Sequence, residues 1–259
     1  MDKISIPTKK HGIEFLLNPE NGKWVFTNNP KKYCSRILGD FHLRPLKGTQ
    51  LVLFNVGREC NLRCKYCFVG DKRGEKSTMS LETAQKALQR VSEMKDGVKR
   101  IVFHGSEPLL NFNLIKEIVI YGKNLDKEIK YSIQTNGTLL SSDIIDFFVT
   151  NGVYIGLSLD GTRKSHNQTR PFINGKGSYD SVIRNLLQVR ERQGKASFIT
   201  VVTKYNIHEL DRIVKLGKEL DIQDIAFNPV FSTDSSIVPR EQELTDNIIK
   251  ITECYFSDL

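Results

Sequence analysis

Three cysteines crowd into eight residues of this chain, as Cys60-x-x-x-Cys64-x-x-Cys67. Thiolates are soft ligands, suited to zinc and to iron–sulfur clusters. Three of them on one compact loop can hold three irons of a [4Fe–4S] cube and leave the fourth iron without a protein ligand. An open iron is what a chelating substrate needs. A structural zinc would want four ligands in a closed tetrahedron, with the fourth drawn from His104 or a distant cysteine, and neither spacing is that of a zinc finger. An electron-transfer ferredoxin would want four cysteines as well. The five cysteines of the chain are an odd number and make a poor disulfide framework. Cys34 and Cys254 stand alone and read as packed or idle thiols.

Something must position that loop. From residue 51 onward, short β-branched runs alternate with amphipathic segments, the pattern of parallel βα units. The strands are expected at Leu51–Val56, Arg100–His104, Tyr131–Gln134, Tyr154–Leu159, Phe198–Val202 and Ile225–Asn228. The helices are expected near Leu81–Met94, Leu114–Lys123, Ser142–Thr150, Tyr179–Arg192, Ile207–Leu220 and Glu241–Phe256. Ser80 is placed to cap the first helix, and Asn151-Gly152 to end the third. A long polar loop is expected between Asp160 and Tyr179. Right-handed crossovers wind such units into one parallel sheet, curved or doubly wound, whose ligand chemistry lies at the C-terminal strand ends. The cysteine loop falls at one such end. His104-Gly105-Ser106-Glu107-Pro108, Gln134-Thr135-Asn136-Gly137 and Ser158-Leu159-Asp160-Gly161 fall at three others. Before residue 51, two short apolar runs flank Pro19-Glu20-Asn21-Gly22 and read as a β-hairpin with an Asn-Gly turn.

The segment Cys60 to Cys67, with aromatic Tyr66 just before the third cysteine, resembles the signature of the radical S-adenosylmethionine (SAM) superfamily. His104 to Leu110 is similar to that family's GGEP element, with Ser106 in place of the second glycine. Gln134 to Leu140 and Ser158 to Gly161 resemble elements of its SPASM/twitch branch, which contains anaerobic sulfatase maturases and peptide maturases. The resemblance implies two cofactors, a [4Fe–4S] cluster on Cys60, Cys64 and Cys67, and S-adenosyl-L-methionine on its open iron. It implies that the reduced cluster cleaves SAM to methionine and a 5′-deoxyadenosyl radical, which abstracts a substrate hydrogen atom. By the same resemblance Gly105, Ser106 and Glu107 meet the SAM amino group, Ser158 and Asp160 lie near the ribose, and Arg170 pairs with the carboxylate. Tyr66 and Phe68 flank the adenine and the cluster, and Gln134 and Asn136 complete the cofactor contacts. On the residues alone, Arg170 reads equally as a solvated loop arginine and Phe68 as ordinary packing. His104 reads as a hydrogen-bonded pocket wall, Asn136-Gly137 first as a turn, and Trp24 as packed in the hairpin.

The expected fold is therefore α/β, a partial (βα)6 TIM-type barrel over residues 51–259, with a small β-rich appendage over residues 1–50. The implied partners are a peptide or protein substrate and an electron donor such as ferredoxin or flavodoxin. SPASM enzymes carry further cysteines after the barrel. Only Cys254 stands there in this chain, which points to a protein without auxiliary clusters or to the core of a longer one. The chain has 259 residues, 39% hydrophobic and 26% charged, as in ordinary globular proteins. No run is long and apolar enough for a membrane span, and the N-terminus lacks a signal-peptide core, so a cytoplasmic location without membrane contact is expected. The net charge of +8 is scattered rather than striped, which speaks against a nucleic-acid partner. The expected activity is that of a radical SAM oxidoreductase modifying a peptide or protein. A radical SAM enzyme acting on a small molecule or cofactor precursor, and a non-catalytic iron–sulfur redox sensor, are the alternatives.

Overall fold

The computed structural model describes residues 4–7, 14–17, 24–27, 51–69, 77–95, 99–222, 224–232 and 234–256. The chain divides into two compact units, one of Gly48–Ile251 and one of Met1–Lys47 with Thr252–Leu259. The larger unit holds six strands: β4 (Val52–Asn55), β5 (Arg100–His104), β6 (Lys130–Thr135), β7 (Tyr154–Ser158), β8 (Ala196–Val202) and β9 (Asp224–Pro229). They lie side by side in chain order, and every neighbouring pair is parallel. Helices α1 (Leu81–Ser92), α2 (Phe112–Leu125), α3 (Ser142–Asn151), α5 (Tyr179–Glu191) and α6 (Leu210–Glu219) fill the crossovers, and α7 (Glu241–Phe256) follows β9. This is the expected partial TIM-type barrel.

Burial alternates most clearly in β6, where Tyr131, Ile133 and Thr135 are buried, whereas Lys130 and Gln134 are exposed. A parallel sheet covered on both faces is apolar on both. Here only the outer face is, and Phe54, Phe103, Ile133, Ile155 and Phe198 pack there with Leu88, Ile118, Phe148 and Leu186 from the helices. The inner face mixes polar side chains such as Gln134, Ser158 and Asn228 with Val102, Ile199 and Val201, and a cleft opens above it.

Local chemistry sets the helix ends. The Ser80 hydroxyl accepts the Thr83 amide at 3.1 Å and starts α1. Gly152 closes α3 in the left-handed conformation, φ 65°, as its lack of a Cβ permits. Three features differ from expectation. The loop after β7 contains a seven-residue helix, α4 (Arg163–Thr169), and Ile207–Glu209 forms a 3-10 turn ahead of α6. A further 3-10 turn, Pro108–Asn111, begins after Glu107. The sequence Arg163-Lys164-Ser165-His166-Asn167-Gln168-Thr169 has no apolar stripe to announce a helix, and what it buries is polar: Ser165, His166 and Thr169.

The smaller unit contains a three-stranded antiparallel sheet of β1 (Ile4–Pro7), β2 (Glu14–Leu17) and β3 (Trp24–Thr27). The expected hairpin is the β2–β3 pair, with Leu17 opposite Trp24. Its Asn-Gly turn, the Trp24 side chain, Cys34 and the Cys254 side chain lie outside the described residues. No described helix is long and apolar enough to cross a membrane.

Candidate active site: a three-thiol cleft at the strand ends

All six strands send residues to one cleft of about 350 Å³ at their C-terminal ends, within the range of small-molecule sites. Cys60, Cys64 and Cys67 line it on the loop after β4, with Tyr66 and Phe68. The end of β5 adds His104, Gly105 and Ser106, β6 adds Gln134 and Asn136, and β7 adds Ser158. Arg170, at the end of α4, joins them. Asn228 and Pro229 at the end of β9, with Val230 and Phe231 after it, complete the rim; no motif marked them, and their position at the end of the last strand was the only available signal. The Phe68 ring is 87% exposed and Phe231 is fully exposed.

The cysteine loop is pinned against the end of α4 and the segment that follows it. Arg63 N donates to Pro171 O at 2.8 Å and Lys65 N to Thr169 O at 2.9 Å, while Leu62 is buried beneath. The three thiols are half-buried. Leu62 N donates to Cys60 Sγ at 3.4 Å, Asn136 Nδ2 to Cys60 Sγ at 3.9 Å, and Arg170 Nη1 to Cys64 Sγ at 3.9 Å. Burial pushes the Cys60 thiol up, and the Cys64 thiol up to about 11. Such thiols give up their protons to a metal rather than to neutral water.

Two of the residues expected to contact the cofactor do not line the cleft. Glu107 is 1% exposed, and the residues lining the cleft do not include it. Its Oε1 accepts from Leu109 N at 3.0 Å and Thr135 Oγ1 at 2.7 Å, and its Oε2 accepts from Asn136 N at 2.8 Å. It thereby ties the loop after β5 to the loop after β6. Burial raises its carboxyl pKa against these bonds. Asp160 is fully buried, also outside the lining. Its Oδ2 accepts from Arg170 Nε at 2.8 Å, Thr169 Oγ1 at 3.1 Å and the Tyr66 hydroxyl, and its Oδ1 accepts from Val201 N at 3.0 Å. Its carboxylate is thus engaged by protein donors from α4, the cysteine loop and β8. Arg170, by contrast, is no solvated loop residue: it is 7% exposed, with its guanidinium over the Tyr66 ring. Burial disfavours its charge, but Asp160, Tyr66 and Cys64 outweigh that and hold its pKa above the ordinary value. His104 walls the cleft, its pKa lowered by burial, with no side-chain hydrogen bond among the described residues.

The donor set fits an iron–sulfur cluster with an open iron. Among the described residues, no three His, Cys, Asp or Glu side chains converge on a single metal position; the irons of a cube each take a different sulfur and need no such convergence. Room for a polar ligand is visible too. Ser106 Oγ is buried with no hydrogen-bond partner among the described residues, and such groups call for one. Gly105 sits at φ +131° with its Cβ position 2.6 Å from Gly57 O, so the backbone itself closes that wall.

Fold and site together define a class: enzymes on an open parallel (βα)6 barrel with a three-cysteine loop at its mouth. Residues 54–217 match the Radical SAM superfamily, and the chain belongs to that family. Its cofactors are accordingly a [4Fe–4S] cluster and SAM. The cysteine-type anaerobic sulfatase-maturating enzyme of Clostridium novyi is 29% identical over 230 residues, 82% of this chain and 61% of that relative. The solved structure of anSMEcpe with bound AdoMet matches with a TM-score of 0.73 at 22% identity, over 81% of this chain and 60% of that one. SuiB of Streptococcus suis, bound to the precursor peptide SuiA, matches with a TM-score of 0.68 at 15% identity, over 95% of this chain and 67% of that one. These two likenesses show the shared fold. The chain spans about three fifths of the maturase relative's length.

Proposed function

We propose that this chain is the radical-generating core of an enzyme that modifies a peptide or protein, with Cys60, Cys64 and Cys67 each ligating one iron of the cluster. The observation that carries the reading is the three-thiol loop, with amide and guanidinium N–H groups aimed at two of its sulfurs, in a cleft that also holds a hydroxyl without a partner among the described residues. Held by Cys60, Cys64 and Cys67, such a cluster would supply one-electron reductive cleavage of SAM, with ferredoxin or flavodoxin as the external electron donor, and so a species able to abstract a substrate hydrogen atom.

The chain's own residues bind and orient. In this reading Ser106 Oγ and the backbone of Gly105 meet the SAM amino group, and the remaining N–H groups of Arg170 its carboxylate, as the planar fork suits. Ser158, Gln134 and Asn136 offer polar contacts from the neighbouring strand ends, and Tyr66 and Phe68 supply aromatic faces. The half-exposed inner face leaves a way in for a side chain carried on a longer polymer. A peptide substrate is further supported by the names of the similar proteins, a sulfatase-maturating enzyme and a protein solved with its precursor peptide.

The test is anaerobic reconstitution with iron and sulfide, followed by SAM, reductant and candidate peptides. Formation of 5′-deoxyadenosine with a mass change on a peptide, both absent in Cys64→Ala, is the expected result. A mass change confined to a small metabolite would contradict the peptide reading, and full turnover by Cys64→Ala would contradict the ligand assignment.

A further inference from the structure

Arg170 and Asp160 form a buried ion pair in direct reach of the cysteine loop, an arrangement that costs desolvation and is paired for a reason. The guanidinium carries five N–H groups. Nε–H is taken by Asp160 at 2.8 Å, and one N–H of Nη1 reaches Cys64 Sγ at 3.9 Å. The other three meet no acceptor among the described residues, and Arg170 lines the cleft. Asp160 cannot turn to follow a different partner. Val201 N holds its Oδ1, Thr169 Oγ1 and the Tyr66 hydroxyl share its Oδ2, and Asn206 Nδ2 holds its main-chain oxygen at 3.1 Å. The main chain on both sides is fixed by one imidazole and one hydroxyl. Asp160 N donates to His166 Nδ1 at 3.2 Å, His166 Nε2 meets Ser178 Oγ at 3.0 Å, and that hydroxyl donates to Arg170 O at 2.6 Å.

We infer that Asp160 is a positioning residue for cofactor binding: it locks Arg170 through Nε so that the opposite edge of the guanidinium faces the cleft as a fixed clamp for the carboxylate of an amino-acid-like ligand. The inference rests on the reading that this cleft binds SAM. It differs from a ribose contact by Asp160 itself, because the acid reaches the ligand only through the arginine. It also explains why a fully buried carboxylate sits behind the site rather than in it. A guanidinium free to rotate would have to be ordered at each binding event, and holding it in advance removes that cost.

The experiment measures SAM affinity of the anaerobically reconstituted protein by equilibrium dialysis, alongside iron content and thermal unfolding. Asp160→Asn is expected to weaken SAM binding about 10- to 100-fold, the usual effect of losing an outer partner, while iron loading stays at the wild-type level. The double variant Asp160→Asn/Arg170→Gln is expected to bind SAM as Arg170→Gln alone does, since Asp160 acts through Arg170. Should Asp160→Asn not fold, Arg170→Lys serves instead: it keeps the buried charge but cannot span Asp160 and the cleft, and is expected to lose affinity to the same extent. Wild-type affinity in Asp160→Asn or in Arg170→Lys overturns the inference. So does a double variant in which the two losses add. A wild-type protein that takes up its cluster and binds no SAM overturns the SAM reading and this inference together, whereas the variant results alone overturn only the inference.

Discussion

His166 is kept neutral by where its two nitrogens point. The Ser178 hydroxyl spends its proton on Arg170 O, so it accepts from His166 Nε2–H, and Nδ1 is left to accept the Asp160 amide. A second proton on Nδ1 would set one N–H against another. Burial, which comes first, and the nearby Arg170 charge bring the His166 pKa down to about 4 from 6.5, against the pull of Asp160. Between those values the unfolded chain holds more protons than the folded one, so stability falls as the pH drops from 6.5 to 4. The loss amounts to about 3 kcal/mol at about 1.4 kcal/mol per pKa unit. Denaturant titrations across that window should show the wild type losing about this much more than His166→Gln; equal slopes for the two would remove His166 as the cause. None of this was readable from the residue alone. A polar residue in a polar stretch gives no sign of burial until Asp160 and Ser178 are brought to it by α4 and the loop behind it.

The loop after β5 is where an element, rather than a single side chain, shapes the cleft. Ser106 N donates to Gly57 O at 3.3 Å and Glu107 N to Glu59 O at 2.9 Å, so this loop and the entry to the cysteine loop are laced together. Gly105 makes the lacing possible, with φ +131° and no Cβ to strike Gly57 O. Gly105→Ala should therefore cost on the order of 1–3 kcal/mol from backbone strain and displacement, seen as a lower unfolding midpoint together with weakened SAM binding. An unchanged midpoint would mean the loop has another conformation open to it. The strands and most helices were legible because each has a period or a cap: β-branched runs, the Ser80 cap, the Gly152 stop. The helix α4 was not, since a helix that buries serine, histidine and threonine has no hydrophobic period to read. Pro108 did carry a signal for the 3-10 turn, as proline suits the first helical position.

At the scale of the whole molecule, a single parallel sheet keeps one face on its helices and turns the other toward a cleft where six strand ends meet. The cysteine triad was legible because its chemistry is local, three thiols within one loop. The placement of Glu107 and Asp160 was not, because the bonds that bury each carboxylate come from Thr135, Asn136, Thr169, Arg170 and Val201, which arrive from other elements. The family assignment fixes the cofactors, and the claim that joins them to this cleft is that the cluster on Cys60, Cys64 and Cys67 has an iron open to SAM. Electron paramagnetic resonance of the reconstituted, reduced protein tests it most directly. About four irons per chain and a cluster signal that changes when SAM is added are the predicted result. A signal indifferent to SAM would contradict it.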